Sequence, residues 1–370
     1  ISPHPATRMN LLAITTTTDL PEAHLLAGMH KSSDINVTIL GNLSPAHTEI
    51  LSSAGVNIIP LPLPSRISPH VIRTIRATAK QYRPDIVHYF SNRALSNGLI
   101  ALRGFPARHV AYRGAMGNVS RWDPLSWMTY LHPRLDRIIC VSQAVEEYLA
   151  SVGVSRKKLR TIYKGHRLSW YNDDVDPKKE HSPEFSPSPN TTVIGCTANM
   201  RPVKGVDLLL KAMLRVPESI PLHLVLIGEI RDQRLPKLIE AVRSTHQITT
   251  LGFQKNPIPF LRQCDLFVMP SRDREGLPKA VIEAMTQGVA PIVTSIGGMP
   301  ELVLNNQCGI VVEPESPHQL TDAIISLATN KPLAASLGAH AQARIAEHFS
   351  IDTTIAETIS TYREVLNQRL

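Results

Sequence analysis

In the stretch REGLPKAVIEAM, Arg274 to Met285, Glu283 stands among Ala280, Val281, Ile282, Ala284 and Met285 on a short helical segment with almost no polar face. An ionised carboxylate in such surroundings is costly unless donors meet it. A vicinal diol offers two donors at once, and a neighbouring arginine or backbone amide is the structural alternative. Glu275 lies eight residues upstream, in a loop before Gly276-Leu277-Pro278, where it is free to accept from hydroxyl groups. Proline suits the first helical position, so that turn presents main-chain amides. In NMRPVKGVDLLLKAM, Arg201 and Lys204 precede a helix opening near Gly205. Two cations beside unpaired helix amides suit a pyrophosphate. Taken singly, surface cations at a helix start are common. Gly297-Gly298, between a strand and a helix, permits close backbone approach or merely a tight turn.

The elements that must position these residues alternate regularly. In the first half MNLLAIT (9–15), INVTILG (35–41), VNIIPLP (56–62), PDIVHYF (84–90), RHVAYRG (108–114) and RIICVS (137–142) read as buried strands, with helical stretches such as 69–82 and 143–152 between them. The segment 169–190 is rich in Pro, Ser and charge and reads as a linker. Strands over 191–198, 222–228, 248–253, 265–271, 290–295 and 309–313 then alternate with helices over 204–214, 233–244, 257–263, 299–305 and 316–329. That alternation predicts two doubly wound α/β layers of parallel strands facing a cleft, with ligands at the carboxyl ends of the strands. The expected divisions are an acceptor-side domain at 9–168, the linker, a second domain at 191–348, and a C-terminal helical segment at 349–370 crossing back to the first domain.

Composition narrows the partners. Apolar residues make up 43% and charged residues 19% of the chain, a globular balance. Residues 1–165 hold 19 Lys/Arg against 9 Asp/Glu, so the net +8 resides in the first half. In HVIRTIRATAKQYR the residues Arg73, Arg76, Lys80 and Arg83 recur three and four apart, opposite Val71, Ile72, Ile75 and Ala79. This basic face suits anionic lipid headgroups or plain solvation. Nucleic acid is not expected, because aromatic stacking clusters are lacking. Cys140, Cys196, Cys264 and Cys308 form no CxxC pair and read as free thiols in a reducing, cytoplasmic compartment, with peripheral contact on the inner face of a membrane left open. Asp173, Asp174 and Asp176 suggest a metal site only superficially; a solvated acidic turn in the linker is the expectation. The opening residues ISPHPATR are given no role.

The series NMRPVKGVDLLLKA, LVLIG, LGF, DLFVMPS, EGLPKAVIEAM and GGMPELV resembles the nucleotide-sugar half of family-4 retaining glycosyltransferases of the GT-B fold, over essentially all of 191–350. The glutamates separated by seven residues are its most specific sign. The resemblance implies that Glu275 contacts the donor sugar, Glu283 the nucleoside ribose, and Arg201 and Lys204 the diphosphate, without metal or other cofactor. Gly276, Leu277, Pro278, Gly228 and Phe253 would complete the donor side, with Phe253 near the base. It also implies transfer to a hydroxyl of a glycan or glycolipid with retention of configuration. The first half departs from the pattern. TTTTDLPEAH (15–24) replaces a glycine-rich loop, Arg113 falls where a histidine is usual, and His88 and Asn92 stand at another strand end where they could touch an acceptor, a satisfied structural histidine being the alternative for His88. Arg113 could bind an anionic group or pair with an acid. A sugar-nucleotide epimerase and a non-catalytic nucleotide-sugar-binding partner are the competing readings. The first needs acid/base residues not evident here; the second predicts loss of Arg201, Lys204 or Glu275, all present.

Overall fold

The computed structural model describes residues 8–32, 34–171 and 190–368. The chain divides into two compact units, one of Ile1–Gly165 with Ser350–Leu370, the other His166–Phe349. The linker reading and Asp173, Asp174 and Asp176 lie outside the described residues.

The first unit is built on seven parallel strands: β1 (Met9–Ile14), β2 (Ile35–Gly41), β3 (Asn57–Pro60), β4 (Ile86–Tyr89), β5 (Arg108–Arg113), β6 (Arg137–Cys140) and β7 (Leu159–Thr161), in the order β3-β2-β1-β4-β5-β6-β7. The short β7 is absent from the sequence reading, because three residues of mixed polarity carry no period. Strand order reverses beside β1. Right-handed crossovers therefore put helices Leu20–Lys31 and Pro45–Ser53 on one face of the sheet. Helices Pro69–Tyr82, Asn92–Ala101 and Gln143–Ser151, with the β5–β6 connection, go to the other. Helix Ile351–Asn367 packs on Leu20–Lys31. Gly165 must be glycine: a Cβ there would lie 2.4 Å from the Ser350 carbonyl.

Two buried histidines tie this unit together. His88 Nδ1 meets Tyr362 Oη at 2.6 Å and His109 Nδ1 meets Tyr89 Oη at 2.8 Å. Burial drives His88 down to about 3 and His109 to about 4. The unfolded chain, with histidines near 6.5, therefore takes up protons that the folded chain refuses. Stability is full above that value and falls as pH drops toward 4, by about 1.4 kcal/mol per pH unit for each histidine titrating. Urea unfolding at pH 6, 5 and 4 should show a shallower pH slope for His88→Gln than for wild type. Equal slopes would mean that His88 titrates normally in the fold.

The second unit carries β8 (Thr192–Thr197), β9 (Leu222–Ile227), β10 (Gln247–Gly252), β11 (Leu266–Met269), β12 (Ala290–Thr294) and β13 (Ile310–Val312), parallel and in the order β10-β9-β8-β11-β12-β13. Its switch point falls between β8 and β11. Leu209, Leu210 and Met213 pack with Leu224, Leu226, Val268 and Ile292 to form its core. Helix Lys331–His348 has no counterpart in the sequence reading, since its alanines blur any apolar stripe. Predicted strand and helix bounds otherwise agree within a few residues.

Candidate functional site

The loops leaving β8 and β11 flank the switch point of the second sheet, where open α/β sheets present their ligand-binding edge. After β8 the chain makes a short turn, Pro202–Lys204, and enters helix Val206–Met213 through Gly205. Gly205 has φ +66°, and a Cβ on it would stand 2.0 Å from the Pro270 carbonyl. Only glycine lets the two loops touch.

That contact brings Lys204 and Glu275 together. Lys204 Nζ donates to Glu275 Oε1 at 2.7 Å, and Ser271 Oγ donates to the same oxygen at 2.6 Å. Glu275 is buried at 5% exposure, while its Oε2 takes no hydrogen bond among the described residues. Arg201 is exposed, with Nε directed to Asn199 Oδ1 at 3.3 Å. Helices Val206–Met213 and Lys279–Thr286 both begin without a side-chain cap, leaving their first N–H groups for an incoming anion. Pro278 stands at the N-cap rather than at the first helical position, and Gly276 and Leu277 form the turn before it.

Glu283 is buried on Lys279–Thr286, as its sequence surroundings imply. Its one charged partner among the described residues is Lys279, Nζ to Oε1 at 2.7 Å, one helical turn back and itself half exposed. Neither an arginine nor a backbone amide takes that place. Burial raises the Glu283 carboxyl above the usual range, and the Lys279 charge opposes that rise. Lys279 is thus the counter-ion of Glu283, not merely a solvated lysine at a helix start.

A further set of groups supports the loops and escaped the sequence reading. Asp207, 1% exposed, sits on the buried side of helix Val206–Met213. Arg272, two residues after Pro270, donates through both terminal nitrogens to its carboxylate, and Arg272 Nη1 also donates to the Pro202 carbonyl at 2.9 Å. The Arg272 amide bonds the Val203 carbonyl at 2.9 Å, and its Nε reaches Glu315. Burial alone would raise the Asp207 carboxyl; the bonds from Arg272 and Lys211 overcome it and bring it to about 2. An acid set between Val206 and the run LLLKAM (208–213) was the available signal.

Gly228 and Phe253 lie on a neighbouring cavity of about 430 Å³, at the ends of β8, β9 and β10. Gly228 has φ +133°, and a Cβ there would stand 1.9 Å from the Ala198 carbonyl. Phe253 is 73% exposed. Thr197 Oγ1, also lining the cavity, is buried and has no hydrogen-bond partner among the described residues.

In the first unit several sequence expectations change. Arg113 is 7% exposed and neither free for an anion nor paired with an acid: Nε donates to the Ala115 carbonyl at 2.7 Å, another nitrogen to the Gly117 carbonyl, and the guanidinium lies 4.6 Å from the Tyr130 ring centre. It clamps its own loop. His88, 1% exposed and bonded through Nδ1 to Tyr362, holds a helix to the sheet, the structural alternative for this residue. Asn92 is half-buried at the first turn of Asn92–Ala101 and remains at the strand edge. Where the glycine-rich loop was missing, Asp19 and Glu22 form a capping box, and Lys164 Nζ bonds Asp19 Oδ2 at 2.5 Å and Glu22 Oε1 at 3.0 Å. Helix Pro69–Tyr82 turns Arg73, Arg76, Lys80 and the C-capping Arg83 outward, but Arg73 and Arg76 also bond the Pro69 and Ala101 carbonyls.

Comparison with known proteins agrees with this architecture. A family model described as glycosyltransferase family 4 matches residues 23–170, and one described as glycosyl transferases group 1 matches 177–344. The chain is 24% identical over 236 residues to the N-acetyl-alpha-D-glucosaminyl L-malate synthase of Bacillus anthracis, a match spanning 62% of this chain and 60% of that protein. It is 23% identical over 254 residues to the lipopolysaccharide core biosynthesis mannosyltransferase LpsB of Rhizobium meliloti, covering 65% and 69%. The fold matches Anabaena HepE, solved in complex with UDP, at a TM-score of 0.76 with 18% identity over 96% of this chain and all of that one.

Proposed function

Because the chain belongs to glycosyltransferase family 4 and has the GT-B fold, we propose that it is a retaining, metal-independent hexosyltransferase. In this reading it moves a sugar from a nucleoside-diphosphate donor to a hydroxyl of a glycan or glycolipid, as in cell-surface polysaccharide synthesis. The observation that carries the donor assignment is the Lys204–Glu275 pair, set between two uncapped helix starts at the switch point. Lys204, Arg201 and the free amides meet the diphosphate, while Glu275 Oε2 accepts from a sugar hydroxyl and Glu283 from the ribose diol. The 430 Å³ cavity beside Gly228 and Phe253 takes the base, and Thr197 Oγ1 supplies a buried polar group there.

The acceptor hydroxyl then attacks the anomeric carbon on the face the diphosphate leaves. The carbon–oxygen bond to phosphate breaks as the new glycosidic bond forms, and the hydroxyl proton passes to the departing phosphate oxygen. Positioning and fixed positive charge lower the barrier, so no enzymic nucleophile is assigned. Metal independence predicts transfer undiminished in EDTA.

Thermal-shift titration with UDP, GDP and ADP tests the donor site. At least one diphosphate should raise the melting temperature, and Glu283→Gln should weaken that ligand about 10- to 100-fold, the scale of charge-assisted bonds to two hydroxyls. The deoxyribose form of the same nucleotide should already bind the wild type more weakly. If Glu283→Gln leaves both affinities unchanged, Lys279 is the only group this glutamate serves.

A further inference from the structure

The basic helix Pro69–Tyr82 attracts anions but lacks what a membrane-inserting helix needs. Its apolar residues Val71, Ile75 and Ala79 are wholly buried against the first unit's own core. Among the described residues, no helix is long and apolar enough to cross a bilayer. The one cluster of large apolar side chains that the described residues of this unit leave in water lies elsewhere, on the connection between β5 and β6; Ile67, Ile100 and Leu366 are exposed singly. Trp122 is 93% exposed, Trp127 50% and Leu125 44%, three large apolar side chains within six positions.

These side chains are held out by a braced turn. Asp123 accepts from the Leu125 amide and from Ser126 Oγ, both at 3.0 Å, and Ser126 Oγ accepts from the Ser120 amide at 3.1 Å. Trp127 Nε1 donates to the Arg121 carbonyl at 2.9 Å, and Arg121 Nε donates to the Val152 carbonyl at 3.0 Å. Tyr148 Oη pins Val119 through both its amide and its carbonyl. A turn so fixed loses little entropy when its apolar tip meets a partner.

Charge selects the partner. By the right-handed crossover rule this connection shares one face of the sheet with helices Pro69–Tyr82 and Asn92–Ala101. Arg134, further along it, donates to the Leu102 carbonyl at 3.1 Å and so joins it to the end of Asn92–Ala101. That face therefore combines the outward row Arg73, Arg76 and Lys80 with exposed indoles, in a half of the chain that carries 19 Lys/Arg against 9 Asp/Glu. Indoles settle at the headgroup level of a bilayer, and basic side chains add attraction to anionic lipid. We propose that the Trp122–Trp127 turn is a membrane-docking element that inserts into the surface of an anionic bilayer, with the Pro69–Tyr82 basic row supplying only long-range attraction.

The test is co-sedimentation and tryptophan emission with vesicles of phosphatidylcholine, with and without phosphatidylglycerol. Trp170 is the only other tryptophan, so a Trp170→Phe background reports the turn alone. Vesicles containing phosphatidylglycerol should pellet the protein, shift its emission to the blue, and quench it when the acyl chains are brominated. Trp122→Ala and Leu125→Asp, both at exposed positions, should each weaken partitioning about tenfold at unchanged melting temperature. Pelleting unaffected by either variant would overturn the proposal. So would a blue shift produced by soluble oligosaccharide and not by vesicles, which would make the turn a glycan platform. Neither readout requires transferase activity, so the result stands apart from the donor assignment.

Discussion

Lys204→Ala is expected to lower kcat of sugar transfer by about 10²- to 10³-fold, equivalent to about 2.7–4 kcal/mol of transition-state stabilisation. The reason is geometric. Lys204 Nζ lies 2.7 Å from Glu275 Oε1, so one ammonium both fixes the carboxylate nearest the proposed sugar site and faces the position of a departing diphosphate. Its loss removes a fixed positive charge at the leaving group and leaves Glu275, 5% exposed, with Ser271 as its remaining side-chain donor. Lys204→Arg should recover only part of the rate, because a planar fork cannot replace a point charge at the same distance. Glu275→Gln separates the two roles. It keeps the lysine free, so diphosphate binding should be kept while sugar transfer falls. If Lys204→Ala kept kcat within threefold of wild type, the leaving-group role would belong elsewhere.

Asp207→Ala is expected to destabilise the second unit by about 3–5 kcal/mol, the scale for removing one partner of a buried ion pair. Arg272, already bonded to the Pro202 carbonyl, would lose its bidentate carboxylate, and the helix starting at Val206 its anchor. The loop carrying Arg201 and Lys204 hangs from this clamp, so the nucleoside-diphosphate thermal shift should shrink as well. Differential scanning calorimetry should show one transition moving down with the other unmoved. Asp207→Asn should cost less, because its oxygen still accepts from Arg272. A variant as stable as wild type would mean that Glu315 and the Pro202 carbonyl suffice to hold Arg272.

The alternation of buried strands and helices was legible in the chain because parallel strands covered on both faces need continuous apolar runs, and crossover helices need a stripe. Elements without such a pattern stayed hidden, as β7 and Lys331–His348 show. Glu283 was legible for a related reason: a charge inside a greasy helix stands out against its neighbours. Its counter-ion did not, since Lys279 takes that place only once the helix sets them one turn apart. The position of Arg113 at a strand end is visible in the sequence while its local bonds are not, and for His88 the structure takes the structural alternative. Arg113 spends its nitrogens on carbonyls of its own loop, and His88 its Nδ1 on Tyr362.

Residue type and spacing by themselves determined two α/β layers and marked Glu283 as a charge needing a partner; the family resemblance joined Glu275, Arg201 and Lys204 to it as the expected donor contacts. Tertiary structure alone decided that Lys204 touches Glu275 across 71 positions, through a glycine that admits a carbonyl at the distance of a Cβ. It also decided that Asp207 and Arg272 brace that loop, and that Trp122, Leu125 and Trp127 are left in water together on one turn. Local sequence encodes which side chains prefer burial. Which of them find one another depends on close approach between distant segments, and no period along the chain records that.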